Sequence, residues 1–487
     1  MRAFLMEHIC QVSLEEMSLD DLEHTASSPH HFRALIQEYD GAQLPAPLLM
    51  RLFRPRQLGD ASQTRIDQMA LIPGVRFLLT LTLSGSLSLW DLGVNAGFHM
   101  KLFPIATLGA EGDTWNVFDY QPTANFEGIY IVTKFTSTSG CANISFVIFI
   151  LWCISYSIDW THASYEIYPN SASPTFHRIG TAVIPGSPAK CSVLSSDYYA
   201  CHQQSCVVVW KFAAELGISW NPPFKVRRPQ CLWHLDNKPV CISHLYHQWK
   251  HHYFSWWEFF VVEAAWAWAT RQRPTASCQV SGEHDIRLSF QCWWHLCGIY
   301  NNVTTPSPWL SQEAQKHFMI FDCNDIDSPM IHFVLKSIDT SHDASLPEVL
   351  PLCVGCVQGC ISSLHVDDLI VTDDGFLQTS QTQSSEDFEE ICANLIFMPT
   401  TKKSRYSSAS ARLWLEEQSL GDLKEYAVCP MTGRVVVQLL KKGDDQCLEV
   451  HVMDFLLPRT FLWAQGGSRF FFNHIGLNFF LRPGWLD

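Results

Sequence analysis

The sequence predicts a mainly β fold, a degenerate β-propeller of about seven blades preceded by a short N-terminal helical segment. Three observations lead to this prediction. Residues 77–92 hold two apolar stretches separated by a glycine turn, and the second stretch ends in Trp90-Asp91. Similar strand-like stretches recur at irregular spacing as far as Asp454. The chain has 487 residues, of which 47% are hydrophobic, so it can bury a large core.

Residues 1–55 have the pattern of a helical connector. Ser18 followed three residues later by Asp21 is a capping-box start, in which the serine hydroxyl and the carboxylate satisfy free amides of the first turn. Ser28-Pro29 predicts a second helix start, because proline is favoured in the first turn. A linker is then expected at the prolines, which are Pro45, Pro47 and Pro55.

The first blade is expected in the segment from Phe77 to Leu92. Two β-branched or alternating apolar stretches flank Gly85, which suits a tight turn because glycine adopts a positive φ without strain. Trp90 and Asp91 close the second stretch, as in the inner strands of a WD-type blade. The alternative for this segment is an isolated hairpin in a different β fold.

Weaker repeats of the pattern favour the propeller over that alternative. Trp210 ends an apolar stretch as Trp90 does, Asp373 and Gly375 belong to a hairpin turn, and Asp454 follows another apolar stretch. Further strands are expected at residues 317–322 and 435–440. A helical array would show helical periodicity in this region instead, and none is present.

The predicted propeller covers residues 56–458, with atypical inserts near residues 136–163 and 245–285 and an atypical hydrophobic tail at 459–487. Three stretches within these regions, 140–162, 248–270 and 461–487, are rich in aromatic residues and fit no blade. We hypothesise that they are aberrant inserts, such as translated non-coding sequence. Interaction loops or a lid are the alternatives.

Charge and composition exclude several classes of protein. A formal charge of −15 argues against a nucleic-acid partner, which requires a basic surface. The apolar run Ile144–Ile158 is shorter than the roughly 20 residues that a membrane-spanning helix needs. The 18 cysteines follow no secretory signal, so we expect reduced thiols and a cytoplasmic or nuclear location.

Candidate chemistry is sparse, and the sequence predicts no enzyme activity and no cofactor. The weak candidates for a zinc site are Cys353, Cys356, Cys360 and His365, whose spacing matches no standard finger. Cys-Gly alternation of this kind also suits a buried strand pair. A second cluster has spacings that would share one helical face but contains no glutamate to act as a general base; it consists of His244, His247, His251 and His252.

The segments around Pro73–Gly93 and Met17–Leu35 resemble basidiomycete fungal F-box proteins that carry a degenerate WD-type propeller. In that family the first of these segments is the first blade, and the second is the helical connector between F-box and propeller. Further similarity lies at Pro185–Pro188, Val207–Phe212 and Cys429–Leu457. The F-box itself, a helical module opening on Leu-Pro, is not visible before Met17.

The resemblance implies the substrate-recognition propeller of an F-box-type ubiquitin-ligase adaptor. A protein substrate would bind the propeller face, and a Skp-type adaptor would bind only if an F-box exists upstream. Two alternatives stay open, a propeller scaffold with no ubiquitin role and a Cys/His zinc-binding protein.

Overall fold

The structure is a computed structural model that contains one α-helix, one short 3-10 helix at Phe212–Ala214 and 28 strands among the residues it describes. These residues are 18–53, 66–74, 76–93, 100–101, 103–109, 114–125, 127–136, 159–185, 192–195, 198–203, 206–214, 216–220, 229–235, 238–249, 252–261, 288–290, 301–304, 317–322, 330–337, 349–357, 365–372, 375–383, 389–398, 407–415, 422–429, 432–440 and 448–457. The mainly β prediction is therefore confirmed.

Helix α1 spans Leu19–Glu38 and begins at the predicted capping box. The Ser18 hydroxyl accepts from the Asp21 amide at 3.2 Å, and the Asp21 carboxylate accepts from the Ser18 amide at 3.3 Å. The predicted second helix start is wrong, because Pro29 lies inside one continuous helix. An internal proline costs roughly 3 kcal/mol. Burial of Phe32 and Ile36 on the following turns is worth roughly 1.5–3 kcal/mol for each side chain, which offsets that cost.

The strands form seven four-stranded antiparallel sheets. In chain order their bounds are β1 Leu49–Phe53, β2 Ile66–Leu71, β3 Phe77–Thr82, β4 Leu87–Asp91, β5 Ala106–Leu108, β6 Thr114–Pro122, β7 Ile129–Thr136, β8 Asp159–Ile167, β9 His177–Pro185, β10 Ser192–Leu194, β11 Tyr199–Gln203, β12 Cys206–Lys211, β13 Leu216–Trp220, β14 Pro229–Leu235, β15 Lys238–Trp249, β16 His252–Val261, β17 Leu288–Phe290, β18 Asn301–Thr304, β19 His317–Asp322, β20 Met330–Ser337, β21 Val349–Val357, β22 His365–Thr372, β23 Gly375–Gln383, β24 Glu389–Phe397, β25 Ser407–Leu415, β26 Asp422–Cys429, β27 Arg434–Leu440 and β28 Leu448–Asp454.

Each of the first six sheets is a meander of four consecutive strands, from β2–β5 to β22–β25. The seventh sheet has the order β1-β28-β27-β26, so its outer strand comes from the beginning of the chain. Leu49 pairs opposite Asp454 and Phe53 opposite Val450. This pairing closes the ring, and the fold is a seven-bladed β-propeller. It also corrects the expected connector boundary, because residues 49–53 belong to a blade.

The core lies between neighbouring blades rather than within one of them. One apolar cluster joins the first and second blades through Phe77, Leu79, Phe118 and Ile131, all nearly inaccessible to solvent. Similar clusters join the seventh blade to the first and the second to the third. The first, second and seventh sheets therefore bury both faces against their neighbours.

Helix α1 packs against the sixth and seventh blades. Phe32 and Ile36 belong to the same buried cluster as Leu395 of β24 and Val435 of β27. After the helix, the Gly41 amide donates to the Ser410 carbonyl of β25 at 2.6 Å. The Leu44 amide donates to the Arg412 carbonyl at 2.9 Å, so backbone hydrogen bonds fix the connector to the sixth blade.

Strand alternation defines two ends of the ring. The connections between first and second strands and between third and fourth strands of each sheet share one end, which we call the lower end. The connections between second and third strands, and those between sheets, lie at the upper end. Asp91 and Asp454 finish third strands and therefore lie at the lower end, whereas the Gly85 turn lies at the upper end.

Several predicted strands are confirmed, and β19 has the predicted bounds 317–322. Part of the expectation for the atypical stretches is corrected. Residues 252–261 form β16, which pairs along its length with β15 in the fourth blade, and residues 159–162 begin β8. The stretch 461–487 and the remaining residues of the other two lie outside the described part of the chain.

Candidate functional site

The Trp-Asp landmark of the first blade has a defined hydrogen-bond network. Trp90 is fully buried on β4 opposite Leu78 of β3, and its indole Nε1 donates to Thr80 Oγ1 at 2.8 Å. Gly85 has a φ of 80° in the turn between these strands, which confirms the reason for a glycine there. A local sequence pattern therefore produces a side-chain bond that locks second and third strands together.

Asp91 is held by a bidentate ion pair with Arg76. Arg76 Nε and Nη2 donate to the two carboxylate oxygens, each at 3.1 Å, and the Gly93 amide donates to Oδ1 at 3.1 Å. Burial alone would raise the pKa of Asp91, but the hydrogen bonds and positive charge of Arg76 outweigh it and hold the pKa below its ordinary value. Arg76 also donates from Nη1 to Asn170 in the second blade at 3.1 Å.

Trp210 occupies the corresponding place in the third blade, where its partner differs. It lies on β12 opposite Tyr199, just as Trp90 lies opposite Leu78. Two residues further along β11 is Cys201, in the place of Thr80. The indole Nε1 of Trp210 is buried and has no acceptor in the described part of the structure. The third blade thus keeps the tryptophan of the pattern but has lost its hydroxyl.

Asp454 lies at the same strand end in the seventh blade and joins two arginines. Arg434 Nε donates to Oδ1 at 2.6 Å, and Arg51 Nη2 from β1 donates to Oδ2 at 2.9 Å. Both arginines continue to the first blade. Arg434 Nη1 donates to the Gly93 carbonyl at 2.9 Å and Arg51 Nη1 to the Leu92 carbonyl at 3.2 Å. This buried ionic group ties the closing strand to both blades at the end of the ring.

Two glutamines link inner strands of neighbouring blades. Gln68 donates to the Phe118 carbonyl at 3.2 Å and accepts from the Phe118 amide at 3.0 Å. The groups around Gln438 fix its amide so that it donates to the Ile66 carbonyl at 3.1 Å and accepts from the Ile66 amide at 3.3 Å. Each side-chain amide therefore pairs with the backbone N–H and C=O of one residue in the neighbouring blade, as a residue of an adjacent β-strand would.

A polar group joins the second and third blades near the upper end. Lys134 Nζ lies 3.0 Å from Asp119 Oδ2 and donates to Ser192 Oγ at 3.0 Å, and Ser192 donates to Asp119 at 2.8 Å. The adjacent His162 is buried, and burial together with the Lys134 charge lowers its pKa to about 3. The histidine is therefore neutral at ordinary pH, and the ion pair within the second blade is joined to the third blade by the hydrogen bonds of Ser192.

The other landmarks and metal candidates are placed only in part. Gly375 begins β23, and a Cβ there would collide with the Ile396 carbonyl, which explains the glycine. Asp373 lies outside the described residues. Cys353 and Cys356 lie in β21, opposite Phe333 and Ile331 of β20, and His365 begins β22 in the next blade, while Cys360 is not described. The zinc hypothesis for these residues stays a prediction.

Within the described ranges, no three His, Cys, Asp or Glu side chains group as metal ligands would. The expectation of a shared helical face for His244 and His247 is wrong, because both lie in β15, opposite Trp257 and Phe254. Residues three apart on a strand point to opposite faces. His252 begins β16, and His251 is not described.

Exposed apolar side chains lie at both ends and at the closing strand. Leu83 beside the upper turn is 46% exposed, and Phe103 in the lower connection of the first blade is 54% exposed. Met50 on β1 is 50% exposed. No helix in the described segments is long and apolar enough to cross a membrane. The run Ile144–Ile158 lies outside those segments.

No protein-family model and no curated protein matches the sequence. Among solved structures, the chain is similar to the β-propeller domain of Cps50 (Swd1) from Myceliophteria thermophila, with a TM-score of 0.44, 8% identity and coverage of 83% of this chain and 99% of that one. It is also similar to the C-terminal WD40 domain of Sif2, with a TM-score of 0.40, 7% identity and coverage of 83% and 98%. A chain of a mitotic checkpoint complex is similar with a TM-score of 0.38 and 8% identity, and the match covers 84% of this chain and 96% of that one. The strand pairing itself establishes the propeller fold.

Proposed function

We propose that this protein is an interaction adaptor whose propeller loops bind a partner protein and whose N-terminal helix holds the ring in a fixed orientation. In the finer form of the proposal, suggested by the sequence resemblance, the bound partner is a substrate for ubiquitination. A Skp-type adaptor would then bind an F-box module placed before α1. The proposed location is cytoplasmic or nuclear, in keeping with the buried thiols Cys201, Cys392 and Cys429, none of which is in a disulfide.

The observation that carries this proposal is the docking of α1. Phe32 and Ile36 are fully buried in the cluster shared by the sixth and seventh blades. The Asp40 carboxylate then accepts from the Ser410 amide at 2.8 Å, immediately after the helix. A connector held by core packing and by backbone hydrogen bonds does not swivel, so a module attached to it keeps a set distance from the propeller face. An adaptor that presents one protein to another requires this property.

The use of the interior polar groups supports recognition rather than covalent chemistry. Arg434 and Asp454 form an ion pair within the seventh blade, and Lys134 and Asp119 form one within the second. Ser192 donates to a carboxylate and accepts from the lysine, and the neighbouring His162 lies 5.4 Å from the Tyr199 ring, not against the serine hydroxyl. These groups stabilise the ring, which leaves the loops at its two ends as the surface for a partner.

Affinity purification of the protein as its own cells produce it tests the proposal. Recovery of a Skp-type adaptor together with a cullin is the expected result for the ubiquitin-ligase form. Recovery of other proteins without either of these would replace it with a propeller scaffold that has no ubiquitin role. If reciprocal purifications recover no protein partner at all, the adaptor proposal is overturned.

A Phe32→Ala variant provides the matched test of the rigid connector. Loss of the buried ring should loosen α1 from the blades while leaving the propeller loops unchanged. We expect the variant to bind the same partners but to support less transfer of ubiquitin to the bound substrate. Unchanged transfer would show that the docked helix has no part in the function.

A further inference from the structure

The interfaces between blades are not equally satisfied. Side chains are described at five of the seven interfaces, and four of these have a polar or apolar link, although the link between the second and third blades lies at the interface that also buries the unpaired Trp210 Nε1. The seventh and first blades share Gln438 and Arg434, the first and second share Gln68, and the second and third share Lys134. The sixth and seventh share a continuous apolar cluster covered by α1.

The fifth interface of this set, between the fifth and sixth blades, contains a buried amide without partners. Gln378 on β23 is completely buried, and neither its Nε2 nor its Oε1 has a hydrogen-bond partner in the described part of the chain. Phe376, two residues earlier and so on the same face of β23, contacts His317 and His332 of the fifth blade. The amide therefore faces the fifth blade, while the neighbouring Leu377 faces the seventh.

The register explains why this amide is without a partner. Phe376 pairs opposite Ile396 as Leu78 pairs opposite Trp90, so Gln378 has the place of Thr80 in the first blade. Thr80 accepts from the Trp90 indole. In the sixth blade Ile396 replaces the tryptophan and offers no N–H, and the longer glutamine amide is enclosed in the interface with both polar atoms unpaired. Burying such a group weakens the contact that encloses it.

The facing surface of the fifth blade adds a second group whose burial opposes closure. His317 Nδ1 and His332 Nε2 lie 3.0 Å apart on adjacent strands, so one ring donates to the other. His332 is fully buried, and burial and the neighbouring His317 lower its pKa to about 3. The closed interface thus holds this ring in its neutral form.

We propose that the ring opens locally at the interface between the fifth and sixth blades more readily than at the interface between the seventh and first, and that the unpaired Gln378 amide causes this difference. This inference concerns the motion of the ring and does not depend on the proposed adaptor role. Opening gives the Gln378 amide water as a partner, whereas opening at Gln438 would break two hydrogen bonds to Ile66. The same residue type therefore has opposite effects at the two interfaces.

Three native cysteines allow the opening to be measured. Cys392 on β24 shares a face with Gln378 and Asn394 toward the fifth blade, Cys429 lies between the seventh and first blades, and Cys201 lies between the second and third. All three thiols are buried and free of disulfides. A buried thiol reacts with iodoacetamide only when its surroundings open, so each cysteine reports on one interface.

The experiment is native-state alkylation of the full chain with iodoacetamide, with each cysteine quantified by peptide mass spectrometry and normalised to its rate in the unfolded chain. We expect Cys392 to react about tenfold faster than Cys429, or more, since the burial of one unpaired polar group has an effect of this order. Equal or slower reaction of Cys392 would overturn the proposal.

Two glutamine variants separate local opening from the slight static exposure of Cys392. Gln378→Leu removes the unpaired amide at similar volume and should slow alkylation of Cys392 about tenfold without changing Cys201. Gln438→Leu, the matched control, leaves the Ile66 backbone groups without partners and should accelerate Cys429 alone. If Gln378→Leu instead accelerates Cys392, the amide stabilises the interface and the proposal fails. Should either variant not fold, the comparison of Cys392 with Cys429 in the unaltered protein still decides the question.

Discussion

Trp90 donates its indole hydrogen to Thr80 at 2.8 Å, but the corresponding Trp210 in the third blade has Cys201 at the equivalent position and no acceptor among the described residues. The sixth blade has neither member of the pair, with Gln378 in the place of the threonine and Ile396 in the place of the tryptophan. Irregularity in this propeller therefore has a physical form. The strands and their registers are regular, while the side-chain hydrogen bond between second and third strands is present in the first blade and absent from the third and sixth.

Thr80→Val should destabilise the protein by about 1–3 kcal/mol, because the shape of the side chain is kept while a buried indole N–H loses its acceptor. Urea unfolding followed by tryptophan fluorescence measures this difference. Thr107→Val on β5 is the control, since Thr107 is exposed and should change stability by less than about 0.5 kcal/mol. Equal stabilities for the two variants would mean that the Trp90–Thr80 bond contributes nothing.

Cys201→Thr should have the opposite sign. The hydroxyl of threonine would supply the acceptor that Trp210 Nε1 lacks. Cys201 is buried, and its position in the third blade corresponds to that of Thr80 in the first. We expect a gain of about 1 kcal/mol in the free energy of unfolding. Cys201→Val is the matched control, with a similar shape and no hydroxyl. A threonine variant no more stable than the valine variant would contradict the prediction.

Local features of the sequence predict much of this fold. The strands β3 and β4 and the Gly85 turn follow from alternation and from a residue that tolerates a φ of 80°. The capping box of α1 is equally local, since Ser18 and Asp21 are three residues apart. Such signals need no knowledge of distant chain segments, which is why they identify single blades even where the repeat is irregular.

The closing strand could not be predicted in this way. Arg51 and Asp454 form an ion pair although they are 403 positions apart in the sequence. The five residues of β1 contain no local pattern that predicts their pairing with β28. The internal Pro29 is a second case. Proline predicts a helix start, but burial of Phe32 against the blades outweighs the lost hydrogen bond. In both cases tertiary contacts decide, and local propensity does not.

Arg434→Met should destabilise the ring by about 3–5 kcal/mol, because it removes one partner of a buried ion pair and leaves Asp454 with Arg51 alone. Its side chain is 2% exposed and also donates to the Gly93 carbonyl of the first blade. Arg76→Met is the control in the equivalent pair, where the 22% exposed arginine should contribute less. Chemical denaturation measures the loss of stability in each variant. A larger loss for Arg76→Met than for Arg434→Met would contradict the prediction and show that the bond from Arg434 to Gly93 contributes little.

Stability should fall as the pH is lowered below 6.5. Burial lowers the pKa of His162 and of His332 from 6.5 to about 3 in the folded protein. Between these values the unfolded chain binds protons that the folded chain does not, so each histidine costs roughly 1.4 kcal/mol per pH unit, and the loss is absent above pH 6.5. Unfolding free energies at pH 7 and pH 5 measure the slope. The His162→Gln variant should show a smaller slope of unfolding free energy with pH, reduced by the contribution of one histidine. An unchanged slope would show that His162 is protonated in the folded protein.

Gly433→Ala should both destabilise the seventh blade and displace α1. Gly433 has a φ of 68°, and an added Cβ would lie 2.8 Å from Cδ2 of Phe32. The backbone strain alone costs roughly 1 kcal/mol or more, and the collision must move the helix, because the opposing atoms belong to a buried ring. Hydrogen exchange of the α1 amides measures the displacement.

Gly41→Ala is the matched control, since Gly41 has a φ of 72° but nothing within 4 Å of an added Cβ, so it should carry the strain without releasing the helix. If the double variant Gly433→Ala with Phe32→Leu restored slow exchange in α1, contact with this one ring would account for the docking. Equal exchange in the two glycine variants would instead assign the effect to backbone strain and remove Phe32 as the anchor of the connector.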